Sequence, residues 1–482
     1  MVGITSYGAY IPRYRLSRKT IFTAMGWFNP ATAGVAKGEK AVANYDEDSI
    51  TMSVAAAQDC LAGIERNMVG GFFLSSTTAP FLERQNAAIC AKALALRPDI
   101  RTADYNACLK AGTTSMLAAC DAVNSGSVAN FLICAADTRL GKPGSNLEHT
   151  LGDGAAAFLI GSENVIAEFK GSYSLCHDFV DFRRTADQPF IKAWEDRWIN
   201  VEGYAKIFTD AISGLLDKYN LNIADFAKIA IACPDIRTLQ GIAKKLKINQ
   251  DQIQDNLMNE VGNTGTALSL MMLGATLETA KPGDKILVAG YGSGCDVLFF
   301  EVTPHINNLP AKMGIQGHLK LKKELDNYAK YQVFRELVPV EVGIRGEDIP
   351  LTRMTMIYRE GKSIACLCGS KCTVCETPQY PKQRTCINPE CKAIDQMEDY
   401  YFYNLTGRIN SFTADNLAFS WDPPGMYGLI DFDKGGRLYL DFTDCDLNTL
   451  KVGLPVKMSF RRKYIDKRRS VYAYFWKAIP CP

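Results

Sequence analysis

The stretch Ala103-Asp104-Tyr105-Asn106-Ala107-Cys108-Leu109-Lys110-Ala111-Gly112-Thr113-Thr114 decides how this chain is read. Arg101 to Tyr105 forms a short extended segment, and a helical pattern of small residues begins near Leu109. Cys108 stands at the junction. A thiol there meets the free N–H groups and the positive end of a helix, which favour the thiolate. The position predicts a nucleophile that accepts an acyl group. The alternative is a buried structural cysteine, the usual fate of one among 16.

Around that junction lie 482 residues, enough for two to four domains. Hydrophobic residues make up 47% and charged residues 22%, as in soluble globular proteins. A formal net charge of +2 supplies no field for nucleic acid or membrane partners. Met1-Val2-Gly3-Ile4-Thr5-Ser6-Tyr7 lacks the basic and apolar regions of a secretory signal. No apolar run approaches the roughly 18 residues that span a bilayer. A cytoplasmic location follows, with cysteines used for packing, metal binding or catalysis rather than disulfides.

Residues 1–303 alternate helices and short apolar strands. Helical patterns at Met52–Ile64, Gln85–Leu96 and Leu109–Val123 are interleaved with strands at Gly71–Ser76 and before Cys108. Strands at Phe131–Ala136 and Ala155–Ile160 follow, the second after Gly152-Asp153-Gly154. The order then repeats. Tyr204–Tyr219, Thr238–Leu246 and a segment from Gly262-Asn263-Thr264-Gly265 to Glu278 read as helices; Lys228–Ala232, Lys285–Ala289 and Cys295–Val302 read as strands. Cys108 in the first copy corresponds to Asn263–Thr264 in the second. A duplicated pair of α/β halves is the economical reading, with strands covered on both faces. Between the copies, Tyr173–Tyr204 is rich in aromatic and charged residues and too long for a simple connection. It is either functional or a surface cap.

After Pro304 the character changes. Lys312–Lys330 is lysine-rich and reads as a linker with a leading helix. Cys372-Thr373-Val374-Cys375 is followed by Cys386 and Cys391. Two close pairs of this kind form knuckles that close a tetrahedral thiolate cage around zinc, and four thiolates leave no open position, so the zinc is structural. Period-2 segments follow at Tyr400–Leu405, Arg408–Thr413, Met426–Phe432, Arg437–Phe442, Pro455–Phe460 and Ser470–Trp476, with a hairpin loop at Asp433-Lys434-Gly435-Gly436. They predict a small all-β OB barrel. Arg461, Arg462, Lys463, Lys467, Arg468 and Arg469 fall between its last two strands, as a phosphate-contacting loop or a solvated hairpin tip. No aromatic pair with interleaved basic residues marks a nucleic-acid site, and none is expected.

Gly290-Tyr291-Gly292-Ser293-Gly294 precedes a strand rather than opening a helix, which excludes a dinucleotide fingerprint. Beside a reactive thiol, such a turn can present N–H groups to a thioester oxygen. Tyr105-Asn106-Ala107-Cys108, Gly152-Asp153-Gly154-Ala155-Ala156-Ala157, Val261-Gly262-Asn263-Thr264-Gly265 and Tyr291-Gly292-Ser293-Gly294 together resemble the thiolase superfamily. The 3-hydroxy-3-methylglutaryl-CoA synthase-like branch is the nearest, and Asp178–Tyr204 also resembles it. The tail resembles the zinc ribbon plus OB-fold proteins that accompany acyl-CoA thiolases and aldolases.

The resemblance implies a duplicated, five-layered α/β fold, dimerisation or higher assembly, and a coenzyme A thioester as substrate. It makes Cys108 the acyl carrier, the N–H groups of Cys108 and the Gly292–Ser293 turn an oxyanion hole, and Asn263 a residue that orients substrate or water. Two positions depart from the branch: Thr77 stands where it has a glutamate base, and Ala232 where it has a histidine. Asp235, Cys233 or His177 could supply the missing base. The domains read as 1–165 and 166–303 for the two halves, 304–340 for the linker, 341–395 for the zinc ribbon region and 396–482 for the OB-fold. The function implied is an acyl-CoA acyltransferase that makes or breaks a C–C bond. Its alternatives are a retro-aldol lyase on a β-hydroxyacyl-CoA and a non-catalytic CoA-binding scaffold for a separate thiolase.

Overall fold

The computed structural model describes residues 1–347 and 351–481. The chain divides into two units, one of residues 1–44, 48–91 and 96–331, the other of residues 45–47, 92–95 and 332–482.

The first unit is built on nine strands: β1 (Gly3–Tyr10), β2 (Gly71–Ser75), β3 (Arg101–Tyr105), β4 (Asn130–Asp137), β5 (Gly154–Gly161), β6 (Ala167–Cys176), β7 (Lys228–Ile231), β8 (Lys285–Tyr291) and β9 (Gly294–Val302). Their order in one sheet is β7-β8-β9-β6-β1-β5-β4-β2-β3. The β1–β6 edge divides this into two copies of one pattern, β1-β5-β4-β2-β3 and β6-β9-β8-β7. In the second copy a single bridge, Ile229 to Ile253, stands where β3 would pair. Among its helices are α1 (Ser49–Cys60), α2 (Asn86–Ala93), α3 (Ala111–Asn124), α4 (Lys206–Tyr219), α5 (Ile236–Leu246) and α6 (Leu268–Leu277).

Alternation along the strands builds the layers, because successive side chains face opposite sides of a sheet. On β4, Phe131, Ile133 and Ala135 join a core with Met116, Ala119 and Cys120 of α3 and Leu270–Leu273 of α6. Cys134 turns the other way and donates its S–H to the Ser53 carbonyl of α1 at 3.7 Å. On β8, Ile286 and Val288 reach the same central core, while Leu287 and Ala289 meet α4 and α5. The duplicated halves therefore give five layers, with α3 and α6 in the middle. Every residue of α6 is buried, as a helix apolar on all sides requires. Gly112 lets α3 approach: a Cβ there would lie 2.5 Å from the Thr266 carbonyl oxygen.

The strands β1 and β6 at the join were not among those expected; they complete both halves by pairing with residues far along the chain. Among the described residues, no helix is long and apolar enough to cross a membrane.

The second unit carries a three-stranded ribbon, β11-β10-β12, made of β10 (Cys368–Cys372), β11 (Pro378–Gln379) and β12 (Met397–Tyr401). It also carries a five-stranded antiparallel sheet, β15-β14-β13-β16-β17, made of β13 (Thr406–Asp415), β14 (Gly425–Phe432), β15 (Arg437–Asp441), β16 (Pro455–Asp466) and β17 (Val471–Pro480). A Phe442–Ala478 bridge joins its two edges into a barrel. The strand expected at Tyr400–Leu405 lies instead at Met397–Tyr401, in the ribbon. A period-2 pattern gives the face of a strand but not its partner.

The basic loop expected after Phe460 does not exist as such. β16 runs on to Asp466, and Arg461 is buried, paired with Asp46 at 3.3 Å, Glu47 at 2.6 Å and Asp444 at 2.5 Å. Lys477 joins Asp46 at 2.8 Å. Only Lys467, Arg468 and Arg469 remain in the turn.

Candidate active site

β3 ends at Tyr105, and the chain turns sharply at Ala107, whose φ is +63°. A non-glycine residue rarely adopts that conformation, so the turn is held by its surroundings. It delivers Cys108 just ahead of α3, where the Cys108 carbonyl accepts the Ala111 N–H at 3.2 Å. The thiol donates to the Gly292 carbonyl at 3.0 Å. The two halves thus meet at the thiol: Cys108 comes from the β3–α3 junction of one and Gly292 from the β8–β9 turn of the other. Residue 292 must be glycine, since a Cβ would lie 2.6 Å from the Lys110 nitrogen and 2.7 Å from that of Leu109.

The helix end does not ionise the thiol as its position suggested. Burial raises the Cys108 pKa, and the Asp296 charge adds to that; the Lys110 N–H and ammonium pull the other way. Lys110 is largely spent elsewhere, with its Nζ 2.9 Å from Asp296 Oδ1. Asp296 also accepts the Thr113 and Thr114 hydroxyls, at 3.2 and 2.7 Å. The resting group is therefore a thiol with a cationic network behind it.

Asn263 is buried, and its Oδ1 accepts the Gly265 N–H at 3.0 Å. Its backbone is tied to the glycine turn before β5: Asn263 N–H donates to Thr150 O at 2.8 Å, and Gly152 N–H donates back to Asn263 O at 3.1 Å. The two turns interlock so closely that a Cβ at Gly152 would lie 1.9 Å from Val261 O.

Thr77 sits beside an acid that sequence inspection did not single out. Asp137, at the end of β4, is fully buried and accepts Ser76 Oγ at 3.1 Å, Thr77 N at 2.7 Å, Thr77 Oγ1 at 3.0 Å, Thr78 Oγ1 at 2.9 Å and Thr266 N at 2.8 Å. Four of these donors converge on Oδ1, and Thr266 N–H alone reaches Oδ2. The carboxylate anchors the end of β2 and the 263–266 turn.

Ala232 continues β7 and donates its N–H to Ala289 O at 3.0 Å. Asp235 caps α5, its Oδ1 accepting the Thr238 N–H at 2.7 Å. Burial pushes the Cys233 thiol up to about 12. His177 is exposed, and its backbone N–H donates to Ser293 O at 3.0 Å beside the Gly292 turn.

The long segment between the halves packs against these residues. Arg184 Nη2 donates to Thr77 O at 2.6 Å. Tyr204 and Tyr291 rings lie 4.6 Å apart, and a Cβ at Gly203 would touch the Tyr291 hydroxyl. Asp181 is buried against Tyr291, and burial raises its pKa. Arg139, two residues beyond Asp137, lies in the same wall over the Phe182 ring at 5.8 Å. A polar residue buried within a long insertion is a signal that could have marked Asp181. For Arg139, directly after an apolar strand, the sequence holds no signal.

Comparison with known proteins follows from this geometry. Residues 216–298 match the model for the 3-oxoacyl-[acyl-carrier-protein] synthase III C terminal, and residues 403–461 match the ChsH2 C-terminal OB-fold domain. The hydroxymethylglutaryl-CoA synthase of Methanopyrus kandleri is 35% identical over 317 residues, 64% of this chain and 90% of that protein. That of Archaeoglobus fulgidus is 33% identical over 346 residues, 70% of this chain and 99% of that protein. This chain belongs to the hydroxymethylglutaryl-CoA synthase family. A crystal structure of HMG-CoA synthase complexed with CoA shares the fold with a TM-score of 0.64 at 17% identity, covering 73% of this chain and 94% of that one. MvaS in complex with 3-hydroxy-3-methylglutaryl coenzyme A gives 0.61 at 19%, covering 70% and 92%. As a member of this family, the chain is an acyltransferase of the thiolase superfamily.

In the second unit, Cys372, Cys375, Cys386 and Cys391 bring their sulfurs within 4.8 Å of one another. Cys372 and Cys391 are 3.8 Å apart, and Cys375 and Cys386 3.5 Å. A zinc–sulfur distance of about 2.3 Å in a tetrahedron sets sulfurs about 3.8 Å apart, so the four thiols fit that ion. Cys366 and Cys368 bond elsewhere, to Lys92 O and Gly369 O.

Proposed function

We propose that this protein is a condensing enzyme that carries an acyl group from coenzyme A on Cys108. The observation that carries this reading is the Cys108 thiol, 3.0 Å from the Gly292 carbonyl where the two halves meet. In the first step the sulfur attacks the thioester carbonyl. A new carbon–sulfur bond to Cys108 forms, the bond to coenzyme A breaks, and the thiol proton passes to the departing thiolate. The N–H groups of Cys108 and Ser293 receive the oxygen charge that develops, while the Gly292 N–H is held inside the turn by Gly294 O at 2.9 Å. Asn263, with its Oδ1 held by Gly265, offers its amide nitrogen to the substrate.

The second step makes a C–C bond: an α-carbon loses a proton, and the carbanion adds to a carbonyl of the second substrate. Asp137 is committed to holding the end of β2 and the 263–266 turn. The cap bond commits Asp235 to α5. Asp181, buried and raised in pKa, is the carboxyl suited to accept and return this proton. The named relatives are synthases, which favours condensation over the retro-aldol and scaffold readings. Zinc held by the four ribbon cysteines acts structurally, and the family relationship supports a homodimer.

Intact-mass measurement after incubation with acetyl-CoA and longer acyl-CoAs tests the reading. An acyl adduct is expected in the native protein and absent in Cys108→Ala. Turnover of a β-hydroxyacyl-CoA that survives Cys108→Ala would instead establish the retro-aldol reaction. Asp181→Asn should keep the adduct and slow condensation about a hundredfold or more. Metal analysis should find about one zinc per chain, and none in Cys386→Ser.

A further inference from the structure

Arg139 is an unusual residue to find where it lies. Its side chain is 4% exposed, and its Nη1 has no hydrogen-bond partner among the described residues. Buried guanidinium groups are ordinarily paired, because removing the charge from water is costly unless an acceptor replaces the water. The stem passes beneath the turn that holds Asn263, where a Cβ at Gly265 would lie 2.8 Å from Arg139 Cδ. The head lies over the Phe182 ring. The charged and polar groups that face it are Asp137, Asp181, Tyr204 and Arg184. Asp137 turns Oδ1 to four other donors and Oδ2 to the Thr266 N–H, and no hydrogen bond joins it to Arg139 among the described residues. Asp181 accepts the Phe182 N–H at 2.5 Å, and no hydrogen bond or ion pair joins it to Arg139 among the described residues. The guanidinium is thus walled in by the Asn263 turn on one side and by Phe182 on the other, with Nη1 unpartnered among the described residues.

We propose that Arg139 binds a carboxylate on the acyl substrate, so that this site selects acyl thioesters bearing a second, distal carboxyl over plain alkyl ones. This rests on the reading of the chain as an acyl-CoA enzyme. A carboxylate supplies the two coplanar acceptors that a guanidinium lacks here, and a buried, charge-assisted pair of that kind discriminates strongly against a ligand without it. A site built around a polar group penalises the analogue that leaves that group unpaired. Arg139 is then a specificity residue, kept at a cost to stability.

The test uses the full chain with Cys108→Ala, which prevents acylation during titration. Calorimetric dissociation constants are measured for glutaryl-CoA and pentanoyl-CoA, equal in chain length and differing in the terminal carboxylate. Glutaryl-CoA should bind at least about tenfold more tightly, and Arg139→Met should collapse that ratio to about threefold or less, with Arg139→Lys between. A ratio near one with Arg139 present, or one that survives Arg139→Met, overturns the proposal while leaving the acyl-CoA reading intact. Failure of both thioesters to bind sinks the two together. Melting temperature separates a specificity role from a structural one. Replacing an unpaired buried charge by Met should leave the melting temperature unchanged or raise it. A fall accompanied by loss of both ligands would make Arg139 structural and overturn the proposal.

Discussion

The two halves of the first unit follow one plan, yet their corners differ. In the first half a full strand, β3, pairs along five residues with β2 and leads to Cys108. In the second a single bridge at Ile253 takes its place, and the chain leads to Asn263. The hairpin connections differ in the opposite sense. β8 and β9 are joined by Gly292-Ser293 alone, while residues 138–153 join β4 to β5. Each half therefore contributes what the other lacks. The firm strand carries the thiol, the tight turn carries the carbonyl that accepts it, and the long connection carries Arg139. Duplication supplied a symmetric scaffold, and the candidate site sits where the copies diverged.

Two glycines test that division. Gly292→Ala forces a Cβ to within 2.6 Å of the Lys110 nitrogen and displaces the turn from the thiol. Acylation of Cys108 should fall about a hundredfold, as misplacements of about 1 Å do, and the backbone clash should also cost about 1–3 kcal/mol of stability. Acylation within about threefold of native would show that the turn does not work on the thiol. Gly152→Ala belongs to the interlock rather than the chemistry. Its clash with Val261 O should cost about 1–3 kcal/mol in denaturant unfolding; unchanged stability would break the comparison.

The smallest effect concerns charge. Lys110 lowers the Cys108 pKa and Asp296 raises it. Lys110→Met removes the lowering influence and leaves Asp296 unopposed, so the thiol pKa rises. At about pH 8 less thiolate is then present, and alkylation of Cys108 by iodoacetamide should slow, with its pH midpoint displaced upward. A midpoint moving down would reverse the assigned roles of this pair.

How much was readable in advance depended on how local each signal is. The helices around Cys108 and Asn263 announce themselves through their own periodicity, and the ribbon cysteines through their close spacing. β1 and β6 did not, because their partners lie far along the chain and their small and aromatic residues carry no clean alternation. The basic stretch after Phe460 misled, since a run of charges does not reveal that Arg461 faces Asp46, 415 residues away.

The amino-acid order by itself determined the repeated α/β plan, the set of four ribbon cysteines and the thiol at the head of a helix, all consequences of local propensity and spacing. The resemblance to the synthase branch placed Thr77 and Ala232 where that branch has a glutamate and a histidine. Only the tertiary structure decided what surrounds the thiol. Burial raises its pKa, Asp296 occupies Lys110, Asp137 ties β2 to the 263–266 turn, and Arg139 is left with an open donor. Those outcomes depend on desolvation and on which groups meet across a sheet, and neither is written in the neighbourhood of any one residue.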